Sequence, residues 1–283
     1  MFRSTSSSLL RSCSRCTRRS YSTPHPSLTL LSSFLSPSEQ SLLLSSSLSL
    51  LDSPSRTTSS GRKKRKLWLK SNPGYEVERD GFMQDGAYEF EEGHFDGVIR
   101  GYREMLVREG HFDALLQDKD ESRRSELGRV LKKVYALLPP TTTSETESNS
   151  ETRSNSLLDP PQHLIVHLLH LSSTGRIYPH VDNLEAFGRT IVGVSLGGGE
   201  RVMKFKRVPE AEDSVEGPAE FEVLVPSGSA YVQQEPLRTH YTHEVLDRAE
   251  WEGRTVGGTQ RLSIMLRDRL PVDTSKRQTF SFS

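Results

Sequence analysis

The chain has 283 residues, of which 33% are hydrophobic and 26% are charged, and this composition supports one medium-sized domain with appendages rather than two full domains. Lys plus Arg and Asp plus Glu each number 37, so the formal net charge is zero and a strongly basic chain is excluded. No stretch approaches the ~20 apolar residues of a transmembrane helix, so the sequence predicts no membrane span.

The first segment differs in composition from the rest of the chain. Residues 1–26 are rich in Ser and Arg, contain no acid, and have no apolar run long enough for a secretory signal. Arg19-Ser20-Tyr21-Ser22 resembles a matrix processing site that is cleaved after Tyr21. We therefore predict a mitochondrial transit peptide at residues 1–21 and a location in the mitochondrial matrix. A disordered Ser-rich tail is the alternative.

Removal of this segment would change the charge and the cysteine content. It contains five arginines, so Lys plus Arg would fall from 37 to 32 against 37 acids, which leaves a net charge of about −5. That charge disfavours strong nonspecific nucleic-acid binding, although it is compatible with a local basic patch. Both cysteines, Cys13 and Cys16, lie in this segment, so the mature protein would have no disulfide, thiolate zinc site or iron–sulfur cluster.

Residues 22–69 are predicted to form an N-terminal helix followed by a basic, Ser-rich linker. Ser36-Pro37-Ser38-Glu39 has the pattern of a capping box with proline in the first turn, and the leucines after it share one helical face. This pattern predicts a small helix docked on the edge of the domain. Residues 52–61 are rich in Ser, Thr and Pro, and residues 62–66 are all basic. We interpret the basic run as a solvated loop rather than a nuclear-import or nucleic-acid signal.

The main domain is predicted at residues 70–270, and two similar tetrapeptides lie near its start. Gly93-His94-Phe95-Asp96 and Gly110-His111-Phe112-Asp113 both contain His-x-Asp, a spacing that also occurs in metal sites. Apolar residues recur at helical spacing from Val98 to Leu106, and residues two apart on a helix point about 200° apart. We therefore predict a helix in this region and no metal ligands in either tetrapeptide.

The middle of the chain divides into a helix, an insertion and a strand. An amphipathic pattern predicts a helix from Ser122 to Leu138. Residues 141–156 contain no large apolar side chain, which predicts a disordered insertion. Residues 163–171 form an apolar run that contains three histidines, and we interpret it as a buried strand whose histidines are structural rather than metal ligands.

Short strands with turns between them continue to the end of the domain. We predict them at residues 177–182, 189–196, 201–208, 221–225, 229–233, 241–245 and 261–266. Many short strands of this kind indicate a double-sheet jelly roll or a related barrel. The predicted fold class is α+β with a mainly β core: a double-stranded β-helix (jelly roll) with flanking helices packed on one sheet. A C-terminal tail is predicted at residues 271–283.

Side chains on these strands have the spacing of a metal centre. Because side chains alternate along a strand, His180 and Asp182 point to the same side and are able to share one ion. His243, on a later strand, supplies a third ligand and completes a two-His, one-carboxylate face that suits ferrous iron with open positions. His240 is an alternative third ligand.

The last predicted strand carries arginines that favour an acidic ligand. Arg261, Ser263 and Arg267 share one face, and an inward-facing arginine is costly without an anionic partner. A ligand carboxylate is a suitable partner, because the planar guanidinium binds carboxylates through two parallel hydrogen bonds. A structural salt bridge with Glu244 or Asp247 is the alternative.

These motifs occur in the order found in a known family, and the likeness covers roughly residues 88–267. The matching stretches are Tyr88-Glu89-Phe90 with His94-Phe95-Asp96, Tyr102-Arg103-Glu104, Pro179-His180-Val181-Asp182, Gly193-Val194-Ser195-Leu196, Pro226-Ser227-Gly228-Ser229-Ala230-Tyr231, Arg238 with Thr242-His243-Glu244, and Arg261 through Arg267. The sequence resembles the AlkB-like Fe(II)- and 2-oxoglutarate-dependent dioxygenases, most closely the mitochondrial seventh AlkB homologue group.

The resemblance implies the cofactors and the role of each matching residue. Iron would be held by His180, Asp182 and His243. The distal carboxylate of 2-oxoglutarate would be bound by Arg261, with help from Tyr231 and Arg267. O₂ would be the second co-substrate, and the position of Arg238 relative to His243 favours His243 over His240 as the third ligand.

The predicted function is a mitochondrial Fe(II)- and 2-oxoglutarate-dependent dioxygenase that hydroxylates or demethylates an unidentified substrate. A protein or small molecule is favoured over nucleic acid, because the region before the barrel has few aromatic residues for a base-binding lid. The alternatives are a noncatalytic regulatory protein that binds metal and 2-oxoglutarate, and a mitochondrial RNA demethylase. The sequence does not predict the oligomeric state.

Overall fold

The computed structural model describes residues 20–21 (backbone only), 23–116, 121–140, 156–183, 187–211 and 215–269. The predicted transit peptide as far as residue 19, the predicted insertion from 141 to 155 and the predicted C-terminal tail lie outside the described residues. Within the described ranges, no helix is long and apolar enough to cross a membrane.

The described residues form thirteen strands and five α-helices. The strands are β1 (Ser20–Tyr21), β2 (Leu28–Leu31), β3 (Glu91–Gly93), β4 (Ile99–Val107), β5 (Leu164–His180), β6 (Phe187–Leu196), β7 (Arg201–Arg207), β8 (Glu220–Val225), β9 (Ala230–Gln233), β10 (Tyr241–Val245), β11 (Arg248–Trp251), β12 (Arg254–Gly257) and β13 (Arg261–Arg269). The helices are α1 (Pro37–Leu51), α2 (Ser59–Ser71), α3 (Val77–Asp80), α4 (Glu121–Tyr135) and α5 (Leu237–His240).

One antiparallel sheet of eleven strands makes up the body of the protein. Its order is β1-β2-β9-β6-β13-β5-β10-β7-β8, with β4 on the free side of β5 and β3 on β4, while β11 and β12 form a separate hairpin. The first half of β5 pairs with β13 and β4, and its end pairs with β10, so β5 joins two layers. The predicted jelly roll with a mainly β core is confirmed.

The two faces of the larger layer bury different clusters of side chains. The outer face packs against α1 and α4, with Leu43, Leu127 and Val192 at or near zero exposure. The inner face packs against the second layer through side chains such as Leu171 and Phe205. The prediction that flanking helices pack on one sheet is therefore confirmed, and the inner face is left to form the site.

The start of α1 is fixed by the capping box seen in the sequence. The backbone N–H of Ser36 donates to Glu39 Oε2 at 2.9 Å, and the backbone N–H of Glu39 donates to Ser36 Oγ at 3.3 Å. The Glu39 carboxylate also pairs with Arg129 at 3.1 Å and Lys133 at 2.8 Å on α4. Glu39 therefore caps one helix and joins it to another.

The segment before residue 70 differs from its prediction in two ways. The basic run is not a loop, because residues 59–71 form α2, whose N-terminus is capped by Thr58 through the Gly61 N–H. Elements on both sides of the predicted boundary at residue 70 also share one sheet and one core, because β2 pairs with β9 and α1 lies in the main core. Local composition does not reveal which strands pair when they are far apart in the sequence.

Residues 99–107 form strand β4, so the helix predicted between Val98 and Leu106 is wrong. β4 pairs with β5, and the register shifts between Arg100 and Tyr102. Gly101 has a positive φ of 62° at this irregularity. Beyond it, Tyr102 is buried in the inner cluster and Met105 in the outer one. Burial on both faces of a bulged strand gives an apolar spacing that imitates a helix.

Candidate metal centre

Three potential metal ligands meet where β5 and β10 lie side by side. His180 is the last residue of β5, His243 lies opposite it on β10, and Asp182 follows two residues after His180. One ligand atom from each of the three side chains lies within 4.8 Å of the other two. Among the described residues, this is the only group of three His, Cys, Asp or Glu side chains with such spacing.

The electrostatic environment keeps this group ready for a cation. Burial lowers the pKa of His243 to about 4, although Asp182 opposes the shift, so the imidazole is neutral at pH 7. Burial raises the pKa of the Asp182 carboxyl, but the neighbouring His243 and Arg267 lower it by more, and the net shift is downward. A neutral imidazole and an ionised carboxylate are the states that bind metal.

Hydrogen bonds also orient the ligand atoms. His180 Nδ1 donates to the Tyr178 carbonyl oxygen at 2.9 Å, which leaves the Nε2 lone pair available. Arg267 Nη2 donates to Asp182 Oδ1 at 3.2 Å. Asp182 Oδ2 accepts no hydrogen bond within the described part of the chain, and it lies 3.5 Å from His243 Nε2.

The alternative ligands that the sequence offered lie elsewhere. His240 Nδ1 is 2.7 Å from Thr239 Oγ1, and His240 is not part of the group. His94 is 2.7 Å from Asp96, within its own His-x-Asp pair, and His111 accepts from the Arg108 N–H.

The three histidines near the start of β5 each have a separate structural contact. His163 donates to the Leu138 carbonyl at 3.1 Å, and His167 is 2.9 Å from Glu104. His170 is fully buried, and one of its ring nitrogens is 2.9 Å from Gln260 Oε1. Burial lowers its pKa well below the usual value. These contacts agree with the structural role predicted for them.

Arg261 lies on the inner face of β13 and is 1% exposed. Its Nε donates to Ser195 Oγ at 3.0 Å, it interacts with the Tyr231 hydroxyl, and its Nη2 has no hydrogen-bond partner among the described residues. The alternative salt bridges are not formed, because Glu244 and Asp247 are the partners of Arg176. A buried guanidinium with an unused donor calls for an anion.

Tyr231 reaches this region because a glycine lies opposite it. Gly193 on β6 pairs with Tyr231 on β9, and a Cβ placed on Gly193 would collide with the tyrosine ring. Ser263, two residues along β13 from Arg261, is 2% exposed and its Oγ has no hydrogen-bond partner within the described ranges. These groups line one wall of the barrel interior.

The donor set fits an iron ion and a dicarboxylate. Two imidazoles and one carboxylate oxygen form an open face that suits a divalent transition metal such as Fe(II). The unused donors of Arg261 and Ser263 suit a carboxylate on the same wall. Arg267, which contacts Asp182, shares the inner face of β13 with both residues, so the two halves of the site are continuous.

Sequence reasoning missed Arg201, the first residue of β7. This arginine is 1% exposed and donates to the carbonyl oxygens of Ser172, Gly175, Leu246, Asp247 and Thr259. Burial and the nearby Arg261 lower its pKa to about 10. It joins β5 to the connection between β10 and β11 and to the one between β12 and β13. The signal was weak, because a single Arg at the start of an apolar strand is usually a solvated end.

Comparisons with known proteins point to one group of relatives. No family model matches the chain. The alpha-ketoglutarate-dependent dioxygenase alkB homolog 7, mitochondrial, of Bos taurus is 29% identical over 184 residues, which cover 63% of this chain and 65% of that protein. The protein of the same name from Mus musculus is 36% identical over 115 residues, or 40% of this chain and 46% of that protein. The matches thus span less than two thirds of either relative.

Solved structures with a similar arrangement are more distant in sequence. OsALKBH1 aligns with 87% of this chain and 100% of its own at 14% identity, with a TM-score of 0.42. A Pseudomonas putida prolyl-4-hydroxylase aligns with 87% of this chain and 93% of its own at 12% identity, with a TM-score of 0.38. The curated relatives confirm the resemblance that the motifs indicated: the chain is AlkB-like in sequence, and both relatives are named mitochondrial.

Proposed function

We propose that this AlkB-like protein is a mitochondrial Fe(II)- and 2-oxoglutarate-dependent dioxygenase that hydroxylates or demethylates a protein or a small molecule. One observation carries the proposal: the His180, Asp182 and His243 group shares the barrel interior with the buried guanidinium of Arg261, which has an unused donor. Either feature alone has a structural explanation. Together they match what a metal and a dicarboxylate require.

The ligand residues would hold iron through His180, Asp182 and His243. Iron and 2-oxoglutarate, when bound, would couple the reduction of O₂ to oxidation of a substrate C–H bond, with succinate and CO₂ as co-products. The hydrogen bond from His180 to Tyr178 fixes the imidazole orientation, and that from Arg267 fixes the Asp182 carboxylate. Such prior ordering avoids the loss of side-chain entropy when the ion binds.

The opposite end of the site would bind the distal carboxylate of 2-oxoglutarate. Arg261 supplies a charged donor, and Ser195 holds its Nε so that Nη2 faces the interior. Tyr231 contributes its hydroxyl from the next strand but one. Because the wall is buried, water does not compete for these donors, which strengthens the ion pair. Arg267 would assist at the metal end.

The proposal also includes the location of the protein in the cell and the bounds of its dioxygenase domain. A mitochondrial matrix location is supported by the presequence pattern and by the names of the two relatives. The dioxygenase domain extends further towards the N-terminus than the sequence predicted, because β2 is part of the main sheet. We propose a single domain from about residue 23 to residue 269, preceded by a transit peptide.

Turnover of 2-oxoglutarate tests this function directly. The full-length protein, supplied with Fe(II), ascorbate, O₂ and 2-oxoglutarate, should form succinate even without its substrate, at a slow uncoupled rate. His180→Ala should abolish this activity, while the matched control His240→Ala should keep it, because His240 lies outside the group. Succinate formation by His180→Ala at the wild-type rate would contradict the proposal.

Direct binding separates an enzyme from the noncatalytic alternative. Anaerobic Fe(II) and 2-oxoglutarate should give a visible charge-transfer band with the wild-type protein and none with His180→Ala. A band without succinate formation after O₂ is admitted would identify a protein that binds both cofactors and does not turn over. Absence of the band and of succinate would contradict both readings.

A further inference from the structure

Gln233 is the last residue of β9 and lies on the wall that also carries the metal end of the site. Its neighbours in register are Leu28 on β2 and Ile191 on β6, and Ile191 in turn lies opposite Arg267 on β13. Directly opposed residues of antiparallel strands point to the same face. Gln233, Ile191 and Arg267 therefore lie side by side on neighbouring strands, with their side chains on the same face of the sheet. Arg267 in turn contacts Asp182.

The side chain of Gln233 is buried and has no hydrogen-bond partner among the residues that the structure describes. The residue is 1% exposed, and neither Oε1 nor Nε2 makes a hydrogen bond within the described part of the chain. Buried amides are nearly always satisfied, because an unpaired donor and acceptor destabilise the folded state. The same condition holds for Arg261 Nη2 and Asp182 Oδ2, which are assigned to cosubstrate and metal.

The chemistry of the amide selects its partner. A carboxamide offers one acceptor and two donors, whereas 2-oxoglutarate offers only acceptors, so the cosubstrate leaves Oε1 unpaired. A second amide, which has both a donor and an acceptor, pairs with Oε1 and Nε2 of Gln233 at once. Gln233 lies beside Arg267, which contacts Asp182, at the end of the site that would hold the metal rather than at the end with Arg261. A substrate C–H bond must lie at that same end.

We propose that Gln233 hydrogen-bonds an amide of the substrate, and that the substrate of this site is accordingly a peptide or protein. The inference rests on the proposed function, since it needs a metal and 2-oxoglutarate beside the amide. It adds the substrate class and a residue that selects it.

A nucleobase edge also pairs with a carboxamide, but the surroundings of the site disfavour its phosphates. Asp96 lies in the turn between β3 and β4, close enough to His180 for the two to interact, and Glu104 on β4 interacts with Arg267. Carboxylates near the candidate site disfavour a phosphodiester more than a neutral peptide.

Paramagnetic relaxation measures whether an amide lies beside the metal. The full-length protein would be loaded with Mn(II) in place of Fe(II), which stops turnover, and with Zn(II) as the diamagnetic reference. N-methylacetamide, the smallest peptide unit, and 2-oxoglutarate would be observed by proton NMR in the same sample. We expect Mn(II) to broaden the signals of both compounds in the wild-type protein.

Two glutamine variants then test whether Gln233 is responsible for the broadening of the N-methylacetamide signals. Gln233→Leu should reduce the broadening of N-methylacetamide roughly tenfold, the effect of losing the hydrogen bonds of one amide. The matched control Gln234→Leu, at the exposed next position, should leave it unchanged. Broadening of 2-oxoglutarate should be retained in both variants, which shows that the fold and the metal remain intact.

Each failure has a different meaning. Absence of any effect on 2-oxoglutarate in the wild-type protein would contradict the proposed function. A normal effect on 2-oxoglutarate with N-methylacetamide unaffected, or equally affected in Gln233→Leu, would overturn the role of Gln233. Broadening of adenosine but not of N-methylacetamide, lost in Gln233→Leu, would overturn the peptide assignment in favour of a base.

Discussion

Two buried arginines, Arg201 and Arg261, show how similar burial serves different purposes. Each is 1% exposed, and neither has a carboxylate partner within the described residues. The two terminal nitrogens of Arg201 donate to five backbone carbonyls, two on β5 and three in the connections before β11 and after β12, and its Nε alone has no partner among the described residues. Arg261 has one bond from Nε to Ser195, a contact with Tyr231, and an unused Nη2. Saturation of the terminal nitrogens by backbone carbonyls, which Arg201 has and Arg261 lacks within the described residues, separates these two arginines.

The largest effect is expected on folding stability when the saturated arginine is removed. Arg201→Met leaves five buried carbonyl groups without their donor, and we expect a loss of about 3–5 kcal/mol in the free energy of unfolding. Urea denaturation measures it. Arg254→Met, which breaks an exposed pair with Glu200, should have a far smaller effect, because ion pairs in contact with solvent contribute little to stability. Equal losses for the two variants would contradict the structural role of Arg201.

The unsaturated arginine should show the opposite behaviour. Arg261→Met removes a cation without a carboxylate partner, so we expect unfolding free energy without ligand to change by less than about 1 kcal/mol. Affinity for 2-oxoglutarate should fall about a hundredfold, or about 2–3 kcal/mol, because a charge-assisted pair is lost. Calorimetric titration of the Mn(II)-loaded protein measures the affinity. Unchanged affinity for 2-oxoglutarate would show that Arg261 does not bind the cosubstrate.

The same comparison extends to carboxylates and gives a pH dependence. Glu39 is saturated by Ser36, Arg129 and Lys133, whereas Asp182 keeps one oxygen unused. Burial raises the pKa of Glu39, but Lys133 and the other partners outweigh burial and lower the value from 4.5 to about 2.

A folded-state pKa below the unfolded value contributes stability above pH 4.5 that is lost as the pH falls towards 2. Glu39→Gln should therefore cost about 2 kcal/mol at pH 7 and progressively less below pH 4.5. Denaturation curves from pH 7 to pH 2 measure this difference. The control Glu126→Gln, at an exposed position of α4, should show no such trend. A constant difference at all pH values would contradict the ion-pair explanation.

The smallest effect is expected from the glycine that makes room for Tyr231. Gly193→Ala places a methyl group against the tyrosine ring, and we expect a cost of about 1–2 kcal/mol together with weaker 2-oxoglutarate binding. Gly86→Ala has open space around the new methyl group and should be neutral. Thermal unfolding and titration measure the two effects. Loss of stability with unchanged 2-oxoglutarate binding would show that Tyr231 contributes to the core and not to the cosubstrate site.

The sequence predicted features that depend on local spacing. Strand alternation predicted that His180 and Asp182 lie on one side, and their ligand atoms do come together, although β5 ends at His180 and Asp182 follows it. The periodicity of α4 was read directly from its apolar residues. The helix expected at residues 98–106 failed because the irregularity at Gly101 shifts the register, so the spacing of buried residues is no longer two. Local periodicity alone does not distinguish a bulged strand from a helix.

Other features depend on partners far along the chain. The basic run forms α2, where Arg65 pairs with Asp52 and Glu89 accepts from Thr58. The roles of Arg201 and Gln233 depend on which hydrogen-bond partners surround them in space, and no spacing in the sequence reports that. His180 and His243 could be found from the sequence because both lie on predicted strands, whereas the surroundings of Arg201 and Gln233 are set only when the barrel closes.

The pairing of β2 with β9 constrains how the chain is made. Leu28 lies opposite Gln233, so the strand that is synthesised first waits for a partner about 200 residues later, or roughly 10–40 s at typical translation rates. During that interval the leucines of β2 and α1, which are buried in the final structure, have no core to enter. These leucines therefore stay exposed until the C-terminal half of the chain has been made.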